Sequence, residues 1–256
     1  MTSPSAVLLV LLSGTAFVAG LVDAVAGGGG LFTVPALLAA GLPPGLALAT
    51  NKGQAAPGAL ASFVTFFRRG GIDHRRAPLG FALGFVGSLC GARLLLSMRP
   101  EPLRPLIALL LLFALLVMLL RSRIRARRAP LAHPKSMLAL VALTLGTYDG
   151  FFGPGVGSLL IVSFVTLFGD SPLLASGNAK VVNLGSNLAA FLLFSFRGAI
   201  WWQVALPMAV ANVAGARLGA RLALQRGDRF VQVVVTVVVT VVVGKLIFDM
   251  VRAGGA

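Results

Sequence analysis

AGLVDAVAGGGGLFTVPALLAAGLPPGLALATNK, residues 19–52, sets an acid, four consecutive glycines, three prolines and a lysine inside an otherwise apolar run. A second version follows at residues 145–180, LGTYDGFFGPGVGSLLIVSFVTLFGDSPLLASGNAK. Asp23 matches Asp149 at an offset of 126, and Gly41, Pro44 and Lys52 match Gly169, Pro172 and Lys180 at 128. Two extra residues in the second glycine loop, Gly153 to Gly157 against Gly27 to Gly30, account for the change of offset. The register holds onward: Arg69-Gly70 meets Arg197-Gly198, and Gly91-Ala92-Arg93-Leu94 meets Gly219-Ala220-Arg221-Leu222. The reading is an internal duplication, with residues 1–121 as a first transmembrane repeat, 122–135 as a basic cytoplasmic linker and 136–256 as a second repeat.

Composition fixes the solvent. Hydrophobic residues make up 57% of the 256 and charged residues 11%, which no soluble domain of this size shows. Apolar stretches near 5–22, 46–67, 77–97, 103–120, 136–148, 181–196, 199–216 and 230–248 mostly approach the roughly 20 residues that cross a bilayer as a helix. The runs are continuous, whereas a barrel strand alternates faces. The expected fold is therefore an all-α polytopic membrane protein with two internal repeats, broken helices and 8–10 membrane segments, placed in the cell (inner) membrane. The opening MTSPSAVLLVLLSGTAFVAG lacks a basic leader and reads as the first span.

A net charge of +15 raises nucleic acid as a partner, but placement argues against it. Ten of the 22 basic residues fall in two short loops, 68–76 and 121–135, where they read as cytoplasmic anchors. In the second half the bias changes sides: Arg197 alone stands for the first basic loop, while Arg217, Arg221, Arg226 and Arg229 crowd the counterpart of the loop around Arg99 to Arg104. An inverted-topology repeat produces such a swap and needs an odd number of crossings per half. Five per half, with both termini outside, is the expectation, and it requires the short pieces 31–42 and 157–168 to cross. Hydropathy alone prefers four per half, with those pieces re-entrant and the halves parallel.

Unwound backbone survives at membrane depth only when buried in protein or lining a polar cavity. The glycine loops therefore predict an interior cavity where the two repeats meet. Gly27, Gly28, Gly29, Gly30, Gly153, Gly155 and Gly157 would offer backbone N–H groups there, and the helices restarting near 31, 46, 157 and 174 would offer N-terminal dipole ends, which attract anions. Lys52 and Lys180 add charge, and Thr50, Asn51 and Asn178 add donors. The constellation suits a small oxyanion. The lysines could instead snorkel to an interface, and the glycines could mark a close helix crossing. Asp23 and Asp149 read either as caps of the unwound loops or as proton-titrating groups. Cys90 reads as core packing, and the Lys245–Asp249 pair as a structural contact. No cofactor or metal is called for.

An intramembrane enzyme is the alternative class. Ser158 follows a glycine, yet no histidine lies at membrane depth to activate it, and no metal-binding motif is present. A scaffold or receptor gives no reason for paired broken helices.

DAVAGGGGLFTVP at 23–35, followed by AAGLPP and Ala49-Thr50-Asn51-Lys52, resembles the signature of the sulfite exporter TauE/SafE-like family, and GARLGARL at 215–222 is similar to its second-half ending. The resemblance covers essentially the whole chain. It implies a permease that exports sulfite, a sulfonate or another sulfur-containing or organic anion, and it carries no site residues over.

Overall fold

The structure, a computed structural model, describes residues 4–120 and 134–254, with the side chains of 104, 115, 117–120, 228–232 and 234–254 outside that description. The basic linker, apart from Pro134 and Lys135, and the proposed contact of Lys245 with Asp249 lie outside the described residues. In chain order the helices are α1 (Ala6–Ala26), α2 (Gly30–Ala39), α3 (Pro44–Arg68), α4 (Ala77–Ser97), α5 (Pro100–Leu120), α6 (Pro134–Phe151), α7 (Val156–Phe168), α8 (Pro172–Phe196) and α9 (Trp202–Gly254). The backbone of α9 breaks at Gly227, whose φ of 68° interrupts the helical dihedrals. The described residues form no strand. Three of these helices, α1, α4 and α8, are long and apolar enough to cross a membrane, and the chain is a multi-pass membrane protein.

Proline and glycine set the boundaries. Pro44 and Pro172 occupy the first turns of α3 and α8, where a missing N–H costs nothing. The helix α1 ends at Gly27, with φ 72° and ψ 162°, and α7 starts after Gly155, with φ 84°. These conformations belong to glycine because any Cβ would strain them. The apolar stretch expected from 181 belongs to a longer helix, α8, that begins at Pro172. Its polar first turns, Ser176 to Lys180, lower the local hydropathy yet stay helical because they are buried against other helices.

Small residues bring the helices into backbone contact. A Cβ on Gly215 would stand 2.0 Å from the Phe17 carbonyl oxygen, and one on Gly219 would stand 2.4 Å from that of Leu21. Elsewhere, a Cβ on Gly87 would stand 2.3 Å from the Leu143 carbonyl oxygen, and one on Gly91 would stand 2.0 Å from that of Thr147. The α1 and α9 axes thus run in the same sense, as do those of α4 and α6. Gly53 lies against Ala205 and Gly58 against Asn212, so α3 shares the sense of α9. Gly80 lies against Val182, while the Ser88 hydroxyl donates to the Ser186 carbonyl at 2.6 Å, so α8 shares the sense of α4. Between α3 and α8 the sense reverses: Lys52 meets Asn187, and Phe66 meets Gly177. The short α2 folds back on α3, with the Thr33 hydroxyl donating to Asn51 Oδ1 at 2.6 Å and Leu37 packing near Ala47. Cys90 is exposed on α4 and does not belong to the core, contrary to the sequence expectation.

Candidate functional site

The two breaks touch. A Cβ on Gly27 would fall 2.2 Å from the Gly157 carbonyl carbon, so the loops cross backbone to backbone. The carbonyls freed at the end of α1 find partners on α7 and α8: the Ser176 hydroxyl donates to Val25 at 3.0 Å, and the Ser158 hydroxyl donates to Ala26 at 3.0 Å and to Gly27 at 3.3 Å. Buried backbone polar groups must be paired, and in hydrocarbon the cost of an orphan is largest. Ser158 therefore closes a helix end.

Two ion pairs flank the crossing. Lys52 Nζ on α3 donates to Asp149 Oδ1 on α6 at 2.6 Å, and Lys180 Nζ on α8 donates to Asp23 Oδ2 on α1 at 2.8 Å. Lys180 also donates to the Asp23 carbonyl oxygen. Each lysine thus reaches the acid of the other half of the chain. Each carboxylate has further donors. Asp23 Oδ1 accepts from the Gly28 and Gly29 amides at 3.1 and 3.2 Å, which makes it the cap of the glycine loop. Asp149 Oδ2 accepts from the Ser186 hydroxyl and from Asn187 Nδ2, the latter at 3.1 Å.

A cavity of 40 Å³ adjoins both pairs. A cavity needs roughly 10–15 Å³ to hold a water, so the space holds a few waters. Asp23, Lys52 and Asp149 border it together with Gly28, Gly29, Gly30 and Gly153. Side-chain exposure separates the pairs: Lys52, Asp149 and Lys180 are at most 3% exposed, whereas Asp23 is 27% exposed. Asp23 therefore presents its carboxylate to the cavity. Five amide side chains border the same space: Asn51, Gln54, Asn183, Asn187 and Asn212. Gln54 Oε1 is buried and accepts no hydrogen bond.

Of the residues expected from sequence, Asn51, Lys52, Gly28, Gly29, Gly30, Gly153, Asp23 and Asp149 come together at this cavity. Lys180 joins through Asp23. Gly27 and Gly157 form the crossing itself, and Gly155 lies against Ala114 of α5. Two residues sit elsewhere. The Thr50 hydroxyl accepts from the Trp201 N–H at 3.1 Å, and Asn178 Oδ1 accepts from the Asp73 N–H at 2.9 Å. Both fix loop backbone. The N-termini of α2 and α7 adjoin the cavity through Gly30 and Val156. Those of α3 and α8 do not, because the lysines stand two turns inside their helices. Gln54, Asn183, Asn187 and Asn212 were missed. The first three repeat at helical spacing from Asn51 and Lys180, which is the signal that could have found them.

Helices that break at glycine and carry acids and bases into a buried centre, within a multi-pass chain, are the construction of a helical membrane transporter. The pattern of the family described as Sulfite exporter TauE/SafE matches residues 12–246. The chain is 39% identical over 253 residues to the "Probable membrane transporter protein YfcA" of Escherichia coli (strain K12), covering 97% of the chain and 92% of the relative. It is 38% identical over 244 residues to the "Probable membrane transporter protein" of Haemophilus influenzae, covering 94% and 95%. A third relative, "Probable membrane transporter protein ORF9" of a Sinorhizobium species, is 34% identical over 247 residues, covering 94% and 93%. No solved structure matches the chain. The chain belongs to the sulfite exporter TauE/SafE family and is a membrane transporter. The intramembrane-enzyme alternative falls with that assignment.

Proposed function

We propose that the protein is a permease that exports a small anion, of the sulfite, sulfonate or small organic acid class, through a site shared by two inverted repeats. The observation that carries this reading is the reciprocal pairing of Lys52 with Asp149 and Lys180 with Asp23. Exchanging the halves turns one pair into the other. The same exchange relates the Thr50–Trp201 bond to the Asn178–Asp73 bond, and the Gly215–Phe17 approach to that of Gly87 with Leu143. Matched helices run in opposite senses, which supports inversion over a parallel duplication, and α2 and α7 then count as crossings.

Two ammoniums and two carboxylates leave the centre formally neutral. A buried ion pair adds little net stability and is often replaceable by apolar residues, so its presence twice in a membrane core favours a functional role. An arriving anion takes the place of a carboxylate at an ammonium. Asp23 keeps the Gly28 and Gly29 amides and Asp149 keeps Ser186 and Asn187, so neither acid is orphaned by the exchange. In an exchange that takes up no proton, the site carries the substrate's own charge outward.

The test is anion binding by purified protein, read as thermal stabilisation by sulfite, thiosulfate, sulfoacetate, sulfate, phosphate and small carboxylates. A ligand at 100 times its Kd adds about 2.7 kcal/mol. Lys52→Gln and Lys180→Gln each remove a charge-assisted hydrogen bond, weakening binding by about 1.5–3 kcal/mol. If correctly folded variants bind every anion as the parent does, the lysines do not hold substrate and the site lies elsewhere.

A further inference from the structure

A groove lies on the flank of α3 and α9, away from the central cavity. It encloses 590 Å³ and has two unlike parts. Leu60 and Val64, one turn apart on α3, give it an apolar wall, and Arg68 and Arg69 at the end of α3 face Arg217 and Arg221 of α9 across it. The shared direction of α3 and α9 puts all four guanidiniums toward one end. Among the described residues none of the four guanidiniums has an ion pair, a hydrogen bond or an aromatic ring as partner. Arg76 differs in holding two carboxylates.

The surroundings identify the occupant. Leu60 is 50% exposed, and Leu218 and Val210 on α9 are 43% and 75% exposed. In a membrane protein such a face is covered by acyl chains, and unpaired arginines beside it extend toward phosphate at the headgroup level. Guanidinium forks bind phosphate oxygens in bidentate fashion. We propose that this groove binds an anionic phospholipid, with its phosphate among Arg68, Arg69, Arg217 and Arg221 and an acyl chain along Leu60 and Val64. The ordinary role of such arginines is to fix orientation by excess positive charge inside. Orientation needs only their number, whereas four converging on one apolar groove give a retained lipid.

The experiment is native mass spectrometry of detergent-purified protein given phosphatidylglycerol or phosphatidylcholine of identical chains, with melting temperature measured in parallel. The parent retains phosphatidylglycerol and is stabilised by it, and phosphatidylcholine does neither. Arg217→Gln/Arg221→Gln loses about tenfold or more of that retention, since each basic residue contributes a comparable share of anionic-lipid attraction. Arg68→Gln/Arg69→Gln, on the opposite wall, loses a similar share, so the inference does not hang on one variant folding. Arg93→Gln, which changes the α4 arginine matched to Arg221, retains lipid as the parent does. Equal retention of the two lipids overturns the proposal, as does retention unchanged in both double variants. Displacement of the lipid by free glycerol phosphate assigns the groove to soluble anions and overturns it too. A dimer that dissociates in the variants at constant lipid content assigns the groove to a second copy, with the same result.

Discussion

Asp149→Asn and Lys52→Gln break the same ion pair and leave different groups behind. After Lys52→Gln, Asp149 still accepts from Ser186 and Asn187. After Asp149→Asn, the carboxylate that held Lys52 is gone, and the ammonium retains Asn187 Oδ1 at 3.4 Å. Removing one partner of a buried pair costs about 3–5 kcal/mol because the other charge is left uncompensated. Asp149→Asn is therefore expected at the upper end of that range and Lys52→Gln below it. Asp23→Asn is milder than Asp149→Asn, because Lys180 keeps the Asp23 backbone carbonyl. The double variant Lys52→Gln/Asp149→Asn regains most of the stability while binding stays weak. Denaturation curves of the four proteins check the order, and equal losses for Asp149→Asn and Lys52→Gln refute the asymmetry. Part of this site was legible as residues. Charges and amides within apolar runs mark Asp23, Lys52, Asp149 and Lys180 as candidates for the interior, with an interfacial place for the lysines left open. Their pairing was not legible, because Lys52 and Asp149 are 97 positions apart and no local spacing encodes which helices meet.

The loop between α3 and α4 is tied to the turn before α8 by a single arginine. Arg76 Nε donates to Asp73 at 2.6 Å and Nη2 donates to Asp170 at 2.8 Å, while Asn178 Nδ2 donates to the other oxygen of Asp170 at 2.7 Å. The Phe164 and Phe168 rings lie 5.7 and 5.3 Å from the guanidinium. Burial raises the Asp73 carboxyl, but the Arg76 guanidinium and the neighbouring amides outweigh it and hold it below its ordinary value of 3.8. A carboxyl depressed in the folded state contributes stability above its unfolded value and loses it as pH falls through the folded value. Arg76→Gln is thus expected to cost about 1–3 kcal/mol at pH 7, mainly by leaving buried Asp170 short of a partner. The gap to the parent narrows as the medium is taken below pH 4, and a gap independent of pH would count against Asp73 as a contributor. At this scale the helices were legible from continuous apolar runs. The packing of Gly27 on Gly157 was not, since glycine in a membrane helix reads equally as a break or as a crossing and here serves as both.

Across the molecule, direction is the property the sequence left most open, because short α2 and α7 satisfy neither a full crossing nor a simple re-entrant loop by length. The common sense of α1, α3 and α9, opposed to that of α4, α6 and α8, bears on that choice: α2 must return between α1 and α3 just as α7 returns between α6 and α8. Under the proposed inverted arrangement, with the 68–76 loop inside by its arginines, both termini are expected outside. Reporter fusions after Ala256 should be active only for an extracytoplasmic reporter, and a cytoplasmic signal there would return the halves to a parallel arrangement. Energetics belongs to the same scale. A neutral centre that exchanges a carboxylate for the substrate without taking up a proton moves one negative charge per monoanion. Each 100 mV of membrane potential, negative inside, then favours export by about 2.3 kcal/mol, so a potential of about 150 mV supplies roughly 3.5 kcal/mol, or several hundredfold in the equilibrium ratio. In proteoliposomes, efflux of the bound anion should persist when the pH gradient is collapsed and the potential kept, and should fade when the potential alone is dissipated. Efflux that follows the pH gradient and ignores the potential would mean that Asp23 or Asp149 leaves its lysine as the neutral acid, carrying a proton with every anion.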